Sequence, residues 1–170
     1  KKWVKDDNIE SDSRLHFITQ NLMKVGEMNL PEVQNAVEGM TDITLEMYDD
    51  FENMFGNRSI DLTPAVEKSK GLENVTDQCM ADITQYLVRL SSAELSGRNA
   101  DDVSSMIRIV SELEEASDCV HRLVMLTDRR NRKGHDPFSD DTTLELKRFT
   151  RLVGEFLTFV RQNITPPVSL

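Results

Sequence analysis

Three residues that can do chemistry fall at helical spacing along residues 111–122: Glu114, Asp118 and His121. Each residue of a helix turns by roughly 100°. Measured from Val103, that puts Val110 at roughly −20° and Ile107 at roughly +40°. On the same arithmetic Glu114 falls at roughly +20°, Asp118 at roughly +60° and His121 at roughly 0°. All three therefore continue an apolar stripe, whereas Glu112 and Glu115 point elsewhere. A buried carboxylate is costly unless it meets a cation, a hydrogen-bond donor or a metal. Two carboxylates and an imidazole suit iron, zinc or manganese. The helix before offers Glu73 and Asp77, also four residues apart, on the flank of its own stripe. The alternative is a half-buried ion-pair network that draws in Arg122 or Arg148, with His121 held by a hydrogen bond. Lys68, Lys70 and Arg89 supply further cations on the second helix.

Four helices must position these groups. Leu30-Pro31 opens the first, because proline at a first helical turn loses no hydrogen bond. Val33, Val37, Met40, Thr44, Met47, Phe51 and Met54 then recur in steps of four and three, the spacing of a stripe facing a partner helix. Gly56-Asn57 ends it. The second helix starts at Thr63-Pro64, with the threonine as cap, and carries Leu72, Val75, Cys79, Ile83, Tyr86, Leu87 and Leu90 as far as Ser96-Gly97. The third starts near Asn99 and carries Val103, Met106, Ile107, Val110, Leu113, Val120 and Val124. It ends in the basic run Arg129, Arg130, Arg132 and Lys133, which complements a helix C-terminus. Asp140 or Asp141 caps a fourth, with Leu144, Phe149, Leu152, Val153, Phe156 and Val160 as its stripe, stopped by Thr165-Pro166-Pro167. Phe138 and Phe159 read as core or helix-packing residues.

Short loops between such helices predict an all-α, antiparallel up-down bundle of three long helices plus a fourth. Residues 1–12 read as a tail or linker, 13–165 as the bundle and 166–170 as a C-terminal tail. Residues 15–28 read as a short helix or as an extended segment lying on the bundle. The chain of 170 residues suits one domain.

Twenty Lys and Arg against thirty Asp and Glu give a net charge of 20 − 30 = −10. So acidic a surface repels phosphate backbones and argues against nucleic acid as partner. Cys79 and Cys119 form no CxxC pair and read as small helix-packing residues, with a disulfide between them the minority reading. No apolar run reaches the roughly 18 residues of a membrane span, so this segment reads as soluble. No nucleophile elbow, phosphate loop or dinucleotide fingerprint occurs, which favours a regulatory or binding module over an enzyme.

At the acidic helix the chain resembles the PhoU-like family. That family's signature reads approximately E/D-L-E-R-x-x-D, and here it stands as Glu112-Leu113-Glu114-Glu115-Ala116-Ser117-Asp118. Leu72-Glu73, Asp77, Ile83 and the run Tyr86-Leu87-Val88-Arg89-Leu90-Ser91 resemble its preceding helix. The nearest likeness is to the PhoU-like domain at the cytoplasmic C-terminus of bacterial sodium/phosphate cotransporters. Leu15-His16-Phe17-Ile18 resembles the segment that joins membrane part to bundle there.

The resemblance implies a PhoU-like bundle that modulates phosphate uptake without turnover. It also implies contact with a membrane transporter domain upstream in the same polypeptide, on the cytoplasmic side of the inner membrane. A homodimer is a further expectation for a bundle of this kind. Carried over by position, Glu114 and Asp118 with Asp77 and Glu73 would ligate metal. Ser117 and Cys119 stand where the family has glycine and histidine, and Met80 where a glutamate is common, which argues for a site reduced or lost. Two other readings are a free-standing PhoU-type regulator and a ferritin-like di-metal protein. The second needs two E-x-x-H motifs, where this chain has only Asp118-x-x-His121.

Overall fold

The computed structural model describes residues 30–56, 61–91 and 97–164. The lead-in 15–28 and both expected tails lie outside the described residues. Four helices follow in order: α1 (Leu30–Gly56), α2 (Thr63–Ser91), α3 (Gly97–Arg132) and α4 (Asp140–Asn163). The described residues hold no strand. No helix among them is long and apolar enough to cross a membrane.

Cross-helix contacts give the directions. Ser69 meets His121 and Thr76 meets Ser117, so α2 and α3 run antiparallel. Tyr48 reaches Thr150 and Arg161 reaches Asp42, so α1 and α4 run antiparallel. Ser117 meets Met47, while Arg130 shares a cavity wall with Phe51 and Met54, so α1 and α3 run parallel. The result is the up-down-up-down bundle that the short loops between helices predict.

α1 is the central helix and touches the other three. Its buried residues spread over a wide arc: Val33, Val37, Met40, Ile43, Met47, Tyr48 and Phe51 are all in the core. A helix covered on several sides needs apolar residues on several sides. Opposite it lie Leu72, Cys79, Ile83 and Leu87 from α2, and Val103, Met106, Val110, Val120 and Val124 from α3. Burying each of the larger side chains contributes about 1.5–3 kcal/mol. Met40, Met47, Met54 and Met106 fill core gaps as unbranched side chains can.

The caps differ from expectation at two starts. Ser139, not Asp140 or Asp141, caps α4: its Oγ accepts from the Thr142 N–H at 3.2 Å. The two aspartates instead occupy the first turn, where they complement the macrodipole. At α2, Thr63 is already helical and the carboxylate two residues earlier does the capping. Asp61 Oδ1 accepts from the Thr63 N–H at 3.0 Å, and that bond holds the Asp61 carboxyl below its ordinary range. Both cysteines are free, and Cys119 is exposed rather than packed.

α4 differs from the other helices in having no buried residue. Val153, Leu157 and Ile164 pack on the core edge, chiefly against α1. The Arg161 guanidinium clamps the far end, donating to both Asp42 oxygens at 2.6 and 3.2 Å with Glu38 3.9 Å away. These groups are partly sheltered, so Arg161→Gln is expected to cost about 1–2 kcal/mol, above an exposed pair. Urea denaturation at low and high salt checks this. A difference that vanishes at low salt would remove the clamp.

Candidate functional site

The α2–α3 contact brings the sequence-predicted residues to one side of the bundle. Its buried centre is a hydroxyl pair: Thr76 Oγ1 and Ser117 Oγ lie 2.8 Å apart, and Ser117 also donates towards the Met47 sulfur. Both residues are fully buried. Their small side chains let α2 and α3 approach closely. The flanking positions, Glu73 and Asp77 on α2 and Glu114, Asp118 and His121 on α3, then meet at the edge.

Glu114, Asp118 and His121 are half-buried rather than part of the core stripe. The buried face of α3 is centred on Met106, Val110, Leu113, Ser117 and Val124. That centre lies roughly 50° from Val103 on the side away from Glu114. The acidic residues therefore flank the stripe. Asp77 is exposed and Glu73 half-buried.

Glu114 and Asp77 face each other across the helix pair. Burial, a hydrogen bond to Asp77, and the charges of Asp77, Asp118 and Glu115 together push the Glu114 carboxyl above its ordinary value of 4.5. Two carboxyls share a hydrogen bond only while one of them holds a proton, so this contact favours the protonated Glu114 carboxyl. Asp118 is turned to Arg122, four residues on, in an ion pair. His121 Nδ1 lies 3.0 Å from Ser69 Oγ. A turn further along, Lys68 of α2 holds Glu46 and Asp50 of α1 at 2.7 and 2.8 Å. The ion-pair alternative raised by the sequence thus has members in place: Arg122 with Asp118, and Lys68 with α1. Arg148 lies exposed on α4.

Among the described residues no group of three His, Cys, Asp or Glu side chains stands close enough to hold a metal ion. Glu114 and Asp77 supply two carboxylates. Asp118 and His121 spend their nearest atoms on Arg122 and Ser69. In this arrangement the set is a carboxyl pair with two further groups engaged beside it. What it does show is a Glu114 carboxyl that keeps its proton to higher pH than usual.

That proton gives a stability prediction. Below pH 4.5, Glu114 is protonated in both folded and unfolded chains. As pH rises, the unfolded chain ionises first, so folding stability falls until the folded-state value is passed. At neutral pH the folded protein carries the penalty, and Glu114→Gln removes it while still donating to Asp77. The variant is expected to melt above wild type at pH 7, with the gap closing towards pH 4. Thermal melts across that range check it, and an equal gap at both ends would break the link to ionisation.

The exposure of a second surface is not legible in the sequence. Leu144, Phe149, Leu152, Phe156 and Phe159 of α4 are each more than half exposed. Phe149, Leu152, Phe156 and Phe159 follow steps of three and four and form one continuous stripe. This stripe adjoins the docked one of Val153, Leu157 and Ile164. Phe159, expected in the packing, is solvent-facing. Leu126 of α3, also more than half exposed, shares a cavity wall with Phe149. A run of this size on one helix is larger than the scattered apolar residues of ordinary surfaces.

These features define the protein's class: a helical bundle module with a polar α2–α3 edge and a fourth helix only half covered. In comparisons with known proteins, no family model, no curated protein and no solved structure matches the chain.

Proposed function

We propose that the chain is a regulatory contact module of phosphate transport, working through a membrane transporter of the sodium/phosphate cotransporter kind. The observation that carries the contact is the exposed apolar stripe of α4. The identity of the partner rests on the resemblance at Glu112–Asp118 and Leu72–Ser91. The stripe is long, lies on one helix and is set on a rigid three-helix core, which suits docking of a helix against another helical surface. No step in this reading turns over a substrate.

The test is phosphate uptake by proteoliposomes that hold the membrane part of such a transporter. Adding the wild-type chain is expected to change sodium-driven uptake, and the Phe156→Ser, Phe159→Ser variant is expected to leave it unchanged. Equal uptake with and without the wild-type chain would sink the reading.

Metal linkage is a separable part of the proposal. It rests on Glu114 and Asp77, with Asp118 joining only by giving up Arg122. Elemental analysis of untagged protein decides it. Stoichiometric iron, zinc or manganese in wild type but not in Glu114→Ala, Asp118→Ala would establish the linkage. No metal in either would leave the carboxyls as a structural network, and contact alone as the mechanism.

A further inference from the structure

A cavity of about 550 Å³ opens between the C-terminal half of α1, the end of α3 and the first half of α4. Its size falls within the range of small-molecule sites. The walls are apolar: Phe51, Met54, Leu62, Leu126, Phe149 and Val153 all contribute. Its charged members are Arg130 and Lys147, with His135 beside them. Among the described residues no aspartate or glutamate lines it, although acidic residues outnumber basic ones by 30 to 20 in the chain. The lining thus has the opposite sign to the protein.

Arg130 is held in place and incompletely used. Its guanidinium carbon sits 3.7 Å above the Phe138 ring, a cation–π contact, and Nη2 donates to the Asp136 carbonyl. Its Nε is buried and has no hydrogen-bond partner among the described residues. A charged guanidinium beside an apolar wall favours a ligand that brings it an acceptor. The fixed guanidinium fork matches a carboxylate best.

We propose that this cavity binds a free single-chain amphiphile with an anionic head, of the fatty-acid class. The carboxylate lies against Arg130 with Lys147 and His135 near it, and the alkyl tail lies along the apolar wall from Leu126 to Val153. The site stands on Arg130, Lys147 and His135 and not on the transporter reading, although Phe149 belongs both to its wall and to the exposed stripe.

The test is calorimetric titration of the full chain with decanoate below its micellar range. One saturable site per chain is expected, with decan-1-ol at least tenfold weaker and acetate silent. Arg130→Gln is expected to weaken decanoate at least tenfold, in keeping with a lost charge-assisted bond. Lys147→Gln, on the exposed side of α4, weakens it several-fold and remains informative if the first variant fails to fold. Arg151→Gln, in an exposed pair with Glu155 and not among the described residues that line the cavity, leaves it unchanged.

Decan-1-ol binding as tightly as decanoate would overturn the proposal, as would wild-type affinity in both charge variants. So would several sites per chain that vanish in Phe156→Ser, Phe159→Ser, since that places the binding on the outer stripe. Sedimentation with phosphatidylglycerol vesicles, without binding of free decanoate, would overturn it in favour of a bilayer lipid.

Discussion

Tyr48→Ala is expected to lower folding stability by about 3–5 kcal/mol, the range for removing a large buried aromatic, and to release α4 before the rest. Tyr48 lies 2 % exposed on α1, at the point where α4 crosses. Its ring leans on Phe51, centroids 5.7 Å apart, and its hydroxyl donates to the Thr150 carbonyl at 2.7 Å. A ring carbon also stands 3.4 Å from the place a side chain at Gly154 would begin, so the α4 backbone sits close against it. Because α4 buries no residue of its own, this one α1 side chain carries much of the contact. Burial also pushes the Tyr48 hydroxyl up to about 12, so it stays a donor throughout the physiological range. Tyr48→Phe keeps the ring and loses one hydrogen bond, worth about 1 kcal/mol. Urea midpoints separate the two variants. Amide exchange shows where the loss falls: α4 should open well below the global free energy in Tyr48→Ala, with α1–α3 little changed. Uniform acceleration across all four helices would mean that α4 is not a separately docked unit.

Helix existence and direction were legible because Leu30-Pro31, Thr63-Pro64 and the 3–4 apolar spacing are local signals. Caps were less so. Ser139 and Asp61 compete with neighbours of nearly equal capping power, and only the geometry of the preceding loop decides between them. The acidic edge was half legible. The angular arithmetic gathered Glu114, Asp118 and His121 on one side of α3, and they do share an edge. The reference residue Val103 lies off the centre of the buried face, however, so the three fall on the flank and not in the core. Their partners were beyond reach, because a residue such as Ser69 or Arg122 shows no sign in sequence that it will meet His121 or Asp118.

The fourth helix shows the same limit from the other side. Leu144, Phe149, Leu152 and Phe156 were rightly placed on an apolar stripe, yet periodicity tells that a face is apolar and not what covers it. The cavity escaped altogether, since Arg130 and Lys147 lie on different helices and read as ordinary surface cations.

Replacing Phe149, Phe156 and Phe159 together by serine is expected to weaken partner binding at least a hundredfold while folding stability stays within about 1 kcal/mol of wild type. The two halves of this expectation have different causes. On the folding side, all three rings are more than half exposed, and substitutions away from buried contacts change stability little. On the binding side, aromatic side chains at the centre of a contact are the residues whose truncation costs most, about 2 kcal/mol or more each. A hundredfold is roughly 2.7 kcal/mol, which two such residues supply even when their effects overlap. Light scattering of wild type and variant tells which partner the stripe takes. A wild-type dimer that the triple variant converts to monomer would assign the stripe to a second copy of the chain. A monomer in both, with co-purification of the transporter's membrane part lost only in the variant, would assign it to that partner. Loss of folded structure in the variant would show that the stripe belongs to the core of the protein as it exists in solution, and would take the docking reading with it.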